Sequence, residues 1–191
     1  MKNLLISFAL LTMITLSFTA CKDEDKKPEK PATPSNPTEI ITTVKLMLEE
    51  EGSGNQVSAT WKDADGDGPG QPVITPLALV AGKTYQGRVL LLDESKSPVD
   101  TISNEVEEEH NVHQFFYTLS GDVFSRITIT KQDKDDNNLP VGLVTKATVS
   151  AGSAAQGSLK LVLKHYDGVN KSADESIGDT DVDATFPLGI Q

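Results

Sequence analysis

From Thr38 onward, apolar and polar residues alternate with a period of two. The stretches "TTVKLMLEE", "QVSATWKD", "TYQGRVLLLDE", "HQFFYTLS", "VFSRITITK", "GLVTKATVS", "GSLKLVLKH" and "VDATFPLGI" are rich in Val, Ile, Thr, Phe and Leu and are separated by turn residues. That alternation is the mark of half-buried strands. With "PVITPLALV" the pattern predicts eight or nine strands. So many strands, with almost no helical periodicity between them, predict an all-β fold: a single antiparallel β-sandwich, immunoglobulin-like or transthyretin-like, over residues 38–191.

One segment breaks the alternation. In "SNEVEEEHNVH", Asn104 is followed three residues later by Glu107, a helix-capping pattern, and acids crowd the first turn where the helix dipole favours them. The expectation is a short helix over residues 105 to 111, joining two strands.

The first 20 residues follow neither period. Lys2 is their only charge, an apolar run spans residues 4 to 16, and small residues stand at Thr19 and Ala20. A basic start, a short apolar middle and a small-residue exit read as a secretion signal over residues 1–20. The run is short for a membrane span, which needs about 20 apolar residues. The segment Phe18-Thr19-Ala20-Cys21 resembles the lipobox of bacterial lipoproteins, with Phe18 where Leu is usual. The resemblance implies that Cys21 becomes the first mature residue, with a diacylglycerol on its sulfur and an acyl chain such as palmitate on its amine. Each buried methylene contributes about 0.8 kcal/mol, so several chains hold a domain on a bilayer.

Residues 21–37 are charged, then proline-rich, with no apolar residue to anchor a fold. Such a segment is expected to form a disordered tether with a reach on the order of 50 Å. Its opening "KDED" resembles the acidic signal that exports some lipoproteins to the cell surface. Surface display on the outer membrane is therefore the expectation, with a periplasm-facing tether as the alternative.

Cys21 is the chain's only cysteine. Once it is lipidated, no thiol remains for a disulfide, a nucleophile or a cysteine metal cluster, and the domain must be held by its core. About 150 residues suffice for that. The net charge is −11; removal of Lys2 with the leader leaves 16 Lys plus Arg against 28 Asp plus Glu, a net of −12. Such a balance argues against nucleic acid as a partner and is compatible with cations.

Two kinds of candidate chemistry follow. If the helix runs on through "EVEEEHNVH", Glu109 and His113 lie four apart on one face. Carboxylate and imidazole together make a half-site for zinc, copper or iron. His165, at the end of "LVLKH", and Asp181, within "GDTDVD", are the distant groups that could complete it. The alternative is a solvated acidic turn with His113 hydrogen-bonded at a strand start. Separately, "DADGDG" sets Asp63, Asp65 and Asp67 at alternate positions, and "DKDDNN" does the same with Asp133, Asp135 and Asn137. Both resemble the start of a calcium loop, but the bidentate Glu of an EF-hand is replaced by Ile74 and Val144. The same residues are also ordinary turn formers.

Other matches fail on spacing. "AGKT" has Leu77 where a phosphate-binding loop needs Gly, "GDGPG" has Gln71 in the last glycine's place, and no Gly-x-Ser-x-Gly is present. The aromatic residues Trp61, Phe115, Phe116 and Tyr117 could stack on sugars. Aromatics are only 5% of the chain, and packing is expected to use most of them.

Taken together, "TWKDADGDGPG", "EVEEEHNVHQFFY", "DDNNLPVGLV", "LKLVLKHYDG" and "GDTDVDATFPLGI" are similar to small exported lipoproteins encoded beside TonB-dependent receptors, a group often labelled type 1 periplasmic binding fold superfamily. The fold in that label needs two lobes of alternating strands and helices, which this strand pattern does not supply. The resemblance implies an accessory of nutrient or metal uptake, with an outer-membrane receptor as partner. The functional expectation is a non-enzymatic, lipid-anchored protein that binds a cation or other ligand, calcium or a transition metal. The alternative is a pure protein-protein interaction or adhesin-like module with no bound ion.

Overall fold

A computed structural model describes residues 40–65 and 69–191. The leader, Cys21, the tether and Asp67 lie outside those residues. Among the described residues no helix is long and apolar enough to cross a membrane.

The fold is the all-β sandwich that the alternation implies, with ten strands among the described residues rather than eight or nine. In chain order they are β1 (Thr43–Glu50), β2 (Gln56–Lys62), β3 (Val73–Ile74), β4 (Leu77–Leu79), β5 (Thr84–Leu92), α1 (Ile102–Glu108), β6 (His113–Gly121), β7 (Ile127–Lys131), β8 (Val144–Val149), β9 (Ala155–His165) and β10 (Asp179–Ile190). Six strands form one sheet in the order β3-β2-β1-β5-β8-β7, and four form the other in the order β4-β10-β9-β6. Every pair is antiparallel except β10 with β4.

Alternation builds the core. Along β10, Val182, Ala184, Phe186, Leu188 and Ile190 are buried while Asp183, Thr185 and Pro187 face solvent. They meet Val44, Leu46 and Leu48 of β1 and Val89 and Leu91 of β5 in one apolar cluster. Packing of this kind is what must hold a domain that has no disulfide. The aromatic residues are spent here too: Phe115 is fully buried, Trp61 and Tyr117 pack against the cluster, and Phe116 lies 4.7 Å beneath the Lys131 ammonium.

Two elements depart from the sequence pattern. The run Val73–Leu79 is not one strand. Thr75 and Pro76 break it, so that β3 pairs with β2 in one sheet and β4 pairs with β10 in the other. Proline supplies no ladder donor and its ring fixes the bend. The helix, in turn, begins at Ile102 and ends at Glu108, with Thr101 rather than Asn104 at its N-cap and no side-chain cap bond. Ile102 and Val106, four residues apart, are both buried, and this apolar spacing outweighs the capping preference of Asn104.

The segment between β7 and β8 joins the sheet edges. Its Val141 carbonyl accepts the Phe115 N–H (2.7 Å), and its Gly142 carbonyl accepts the Tyr117 hydroxyl (2.5 Å). Gly142 has φ +90°, and a Cβ there would stand 3.1 Å from the Cβ of Phe115, so the close approach needs glycine. Asp133 holds the segment's far end. Its Oδ1 accepts the Gly142 N–H (2.8 Å), and its Oδ2 accepts those of Leu143 (2.8 Å) and Val144 (3.1 Å).

Removing that carboxylate leaves three donors without an acceptor. Asp133→Ala is expected to destabilise the domain by about 2–4 kcal/mol, and Asn137→Ala, exposed in the same segment, by less than about 0.5 kcal/mol. Chemical denaturation of both variants checks this; equal stability would remove the anchoring role of Asp133.

Candidate metal centre

The strands β6, β9 and β10 are neighbours, and each contributes a polar residue from the same end. His113 is the first residue of β6 and His165 the last of β9, and they stand opposite one another in the antiparallel register. Their rings are 4.4 Å apart between centroids and inclined by 31°. Directly across β9, Asp179 stands opposite His165. The pairing then slips between Thr180 and Val182, leaving Asp181 as the extra residue of a β-bulge. Strict alternation from Val182 would turn Asp181 toward solvent alongside Asp183. A bulge re-aims side chains, and the Asp181 side chain is only 4% exposed.

The preceding turn brings the fourth group. The helix does not continue to His113, so Glu109 and His113 do not share a helical face as the spacing predicts. Glu109 instead caps the helix C-terminus, its N–H bonded to the Glu105 carbonyl (2.7 Å). Its own carbonyl accepts the Val112 N–H (2.9 Å) and faces His113 Nδ1 (3.2 Å). One ligand atom from each of Glu109, His113 and His165 lies within 4.8 Å of the others. Asp181 spans both rings, with Oδ2 3.7 Å from His113 Nε2 and Oδ1 3.9 Å from His165 Nδ1.

The protonation of this group follows from its surroundings. A carbonyl can only accept, so His113 Nδ1 carries the proton that points to Glu109, and the neutral ring keeps its lone pair on Nε2. Burial pushes the His113 pKa down to about 4, helped by neighbouring His165. Burial pushes Asp181 up to about 6; the nearby His165 opposes this and Asp179 adds to it. At neutral pH the site therefore presents a bare carboxylate to a bare imidazole lone pair. Both His113 Nε2 and Asp181 Oδ2 are buried without a hydrogen-bond partner. Two buried acceptors facing one another are costly unless a proton or a cation lies between them.

The turn that carries Glu109 is clamped from two sides. Lys171 Nζ donates to the His110 carbonyl (2.8 Å) and pairs with Asp135 Oδ2 (3.1 Å), the two side chains being 3% and 0% exposed. Asn111 donates to Asp136 (2.9 Å), and His110 Nε2 lies 3.4 Å from the other Asp136 oxygen. The His110 pKa is raised, first by its bond to the Glu107 carbonyl and then by Asp136. On the far side of the site Gly178 has φ +80°, and a Cβ there would fall 2.5 Å from the His165 carbonyl oxygen. Nothing in the sequence pattern points to Lys171 or to the bulge, because both act through tertiary pairing.

The loop containing Asp133, Asp135 and Asn137 is not arranged as a calcium loop. The oxygens of Asp133 are taken by backbone N–H groups, as described above. Asp135 Oδ1 accepts the N–H groups of Asn137 and Leu139 (2.8 Å each). The Lys171 ammonium beside Oδ2 already holds the place a cation would need. In the other loop, Asp65 Oδ2 accepts the Gly70 N–H (3.0 Å), which together with Asp63 lowers its pKa. The third member, Asp67, lies outside the described residues.

No protein-family model, curated protein or solved structure matches the chain. The functional reading therefore rests on geometry.

The two buried groups make opposite pH contributions. Unfolded Asp ionises near 3.8 but folded Asp181 only near 6, so its contribution to stability is full below about pH 4 and is lost as pH rises to 6. His113 is buried neutral, so its contribution falls as pH drops from 6.5 toward 4, where only the unfolded chain takes up the proton. Asp181→Asn removes the buried charge and supplies an amide donor for His113 Nε2. It is expected to stabilise the metal-free protein by about 1–3 kcal/mol at pH 8 and by much less at pH 4. Urea denaturation at both pH values checks this; a variant less stable at pH 8 would show that the carboxylate already has a partner.

Proposed function

We propose that this chain is a non-enzymatic lipoprotein, held at the outer membrane through Cys21, whose sandwich binds a divalent cation as an accessory to nutrient or metal uptake. The observation that carries the reading is the facing pair of buried acceptors, His113 Nε2 and Asp181 Oδ2, 3.7 Å apart and without a hydrogen-bond partner. His165 and Glu109 supply further ligand atoms, within 4.8 Å of one another and of His113, and His165 Nδ1 lies 3.9 Å from Asp181 Oδ1. The leader, the lipobox-like segment and the tether support anchorage, and the net charge of −11 suits a cation carrier. An outer-membrane receptor is the partner this reading implies, and nucleic acid is not.

Two measurements test it. Calorimetric titration of the metal-stripped mature protein with calcium, zinc and copper is expected to show saturable binding of one ion per chain by at least one of them. No heat with any ion leaves the interaction-module reading in its place. Cys21→Ser is expected to move the protein from the membrane fraction to the soluble fraction of cells. Protease treatment of intact cells should remove the wild-type domain if it faces outward.

A further inference from the structure

The four candidate ligands differ sharply in their access to water. His113 is fully buried, the Asp181 side chain is 4% exposed, His165 is 13% exposed, and Glu109 is open to solvent. The buried members are held on strands by register and bulge. Glu109 alone sits on a turn between helix and strand. The chemistry is mixed as well: half of the donors are imidazole nitrogens, which calcium and magnesium, as hard oxygen-seeking cations, do not favour. A second feature points the same way. The Nδ1 of His113 is bonded to a backbone carbonyl, the outer support that orients a metal-binding imidazole and raises its basicity.

Asp181 faces one imidazole with each of its oxygens, Oδ2 3.7 Å from His113 Nε2 and Oδ1 3.9 Å from His165 Nδ1. One ligand atom from each of His113, His165, Asp181 and Glu109 makes a set of four, the number that closes the tetrahedral shell of a zinc-class ion.

From this we infer that the site takes a four-coordinate divalent ion of the zinc class, gripped by His113, His165 and Asp181, with Glu109 as the exchangeable ligand on the solvent side. The inference rests on the cation-binding reading above and specifies its ion. Four protein ligands would leave no open position for a reacting water, which suits holding and handing over an ion rather than catalysis. Release would begin at Glu109, the ligand most open to water or a partner.

The test uses the metal-stripped mature protein and its Glu109→Gln and Asp181→Asn variants. Wild-type protein is expected to bind zinc at least a hundredfold more tightly than calcium. Cobalt(II) in its place should give the intense visible bands of a four-coordinate ion. Asp181→Asn should weaken zinc binding at least tenfold. Glu109→Gln should mainly speed zinc release to a chelator, about tenfold, in stopped-flow measurements. Calcium binding as tight as zinc, or only the weak bands of six-coordinate cobalt, would overturn the inference while leaving the cation-binding reading intact. Unchanged release from Glu109→Gln would overturn the role assigned to Glu109. Failure of zinc, cobalt, copper and calcium alike to bind folded protein would overturn both.

Discussion

The registration of β6 on β9 is the constraint on which the rest depends. Because His113 and His165 are cross-strand partners, their rings lie on the same face of the sheet, the face that also buries Phe115, Leu161 and Leu163. A slip of one residue would turn every one of these side chains to the other face. The apolar residues along both strands thus set the position of the polar end. Core packing and ligand placement are the same event, seen at two points along one ladder.

What distinguishes that end is a local conflict between folding and satisfaction. Most buried polar groups in the domain are paired: the Ser103 hydroxyl accepts the Leu91 N–H (2.6 Å), and Lys171 pairs with Asp135. His113 Nε2 and Asp181 Oδ2 are among the buried atoms that break this habit, and they face one another. A sequence selected for stability alone would place an apolar residue or a donor at position 181, since an unpartnered buried acceptor costs about 1–3 kcal/mol. Departures of this kind concentrate where a ligand completes the structure. The surrounding turn is correspondingly stiff. Asp135, Asp136 and Lys171 fix it from loops far apart in the chain.

Much of this was legible before any coordinates. Alternation locates most of the strands, as in β10, where one face is wet and the other dry, but it does not separate β3 from β4. The site residues were also legible as a set: a carboxylate and an imidazole four apart, a histidine closing a strand, and an acidic stretch opening the last strand. The route to convergence was not. Glu109 and His113 meet across a turn and not along a helix, because burial of Ile102 and Val106 shifts the helix toward the N-terminus. Asp181 points inward only because of a bulge, and a bulge is a property of two strands together. The acidic loop at residues 133–137 misled for a related reason: carboxylates that anchor backbone N–H groups and carboxylates that bind cations have the same composition, and only the identity of their neighbours separates them.

The place of β1 has a mechanical consequence. It lies inside the six-stranded sheet, hydrogen-bonded to β2 on one side and β5 on the other, with Thr43 paired to both Lys62 and Leu92. A pull that enters through the residues ahead of Thr43 and runs along the strand must shear two ladders at once instead of peeling one edge bond by bond. A body moored from that side would resist drag far better than one hung from β3 or β7.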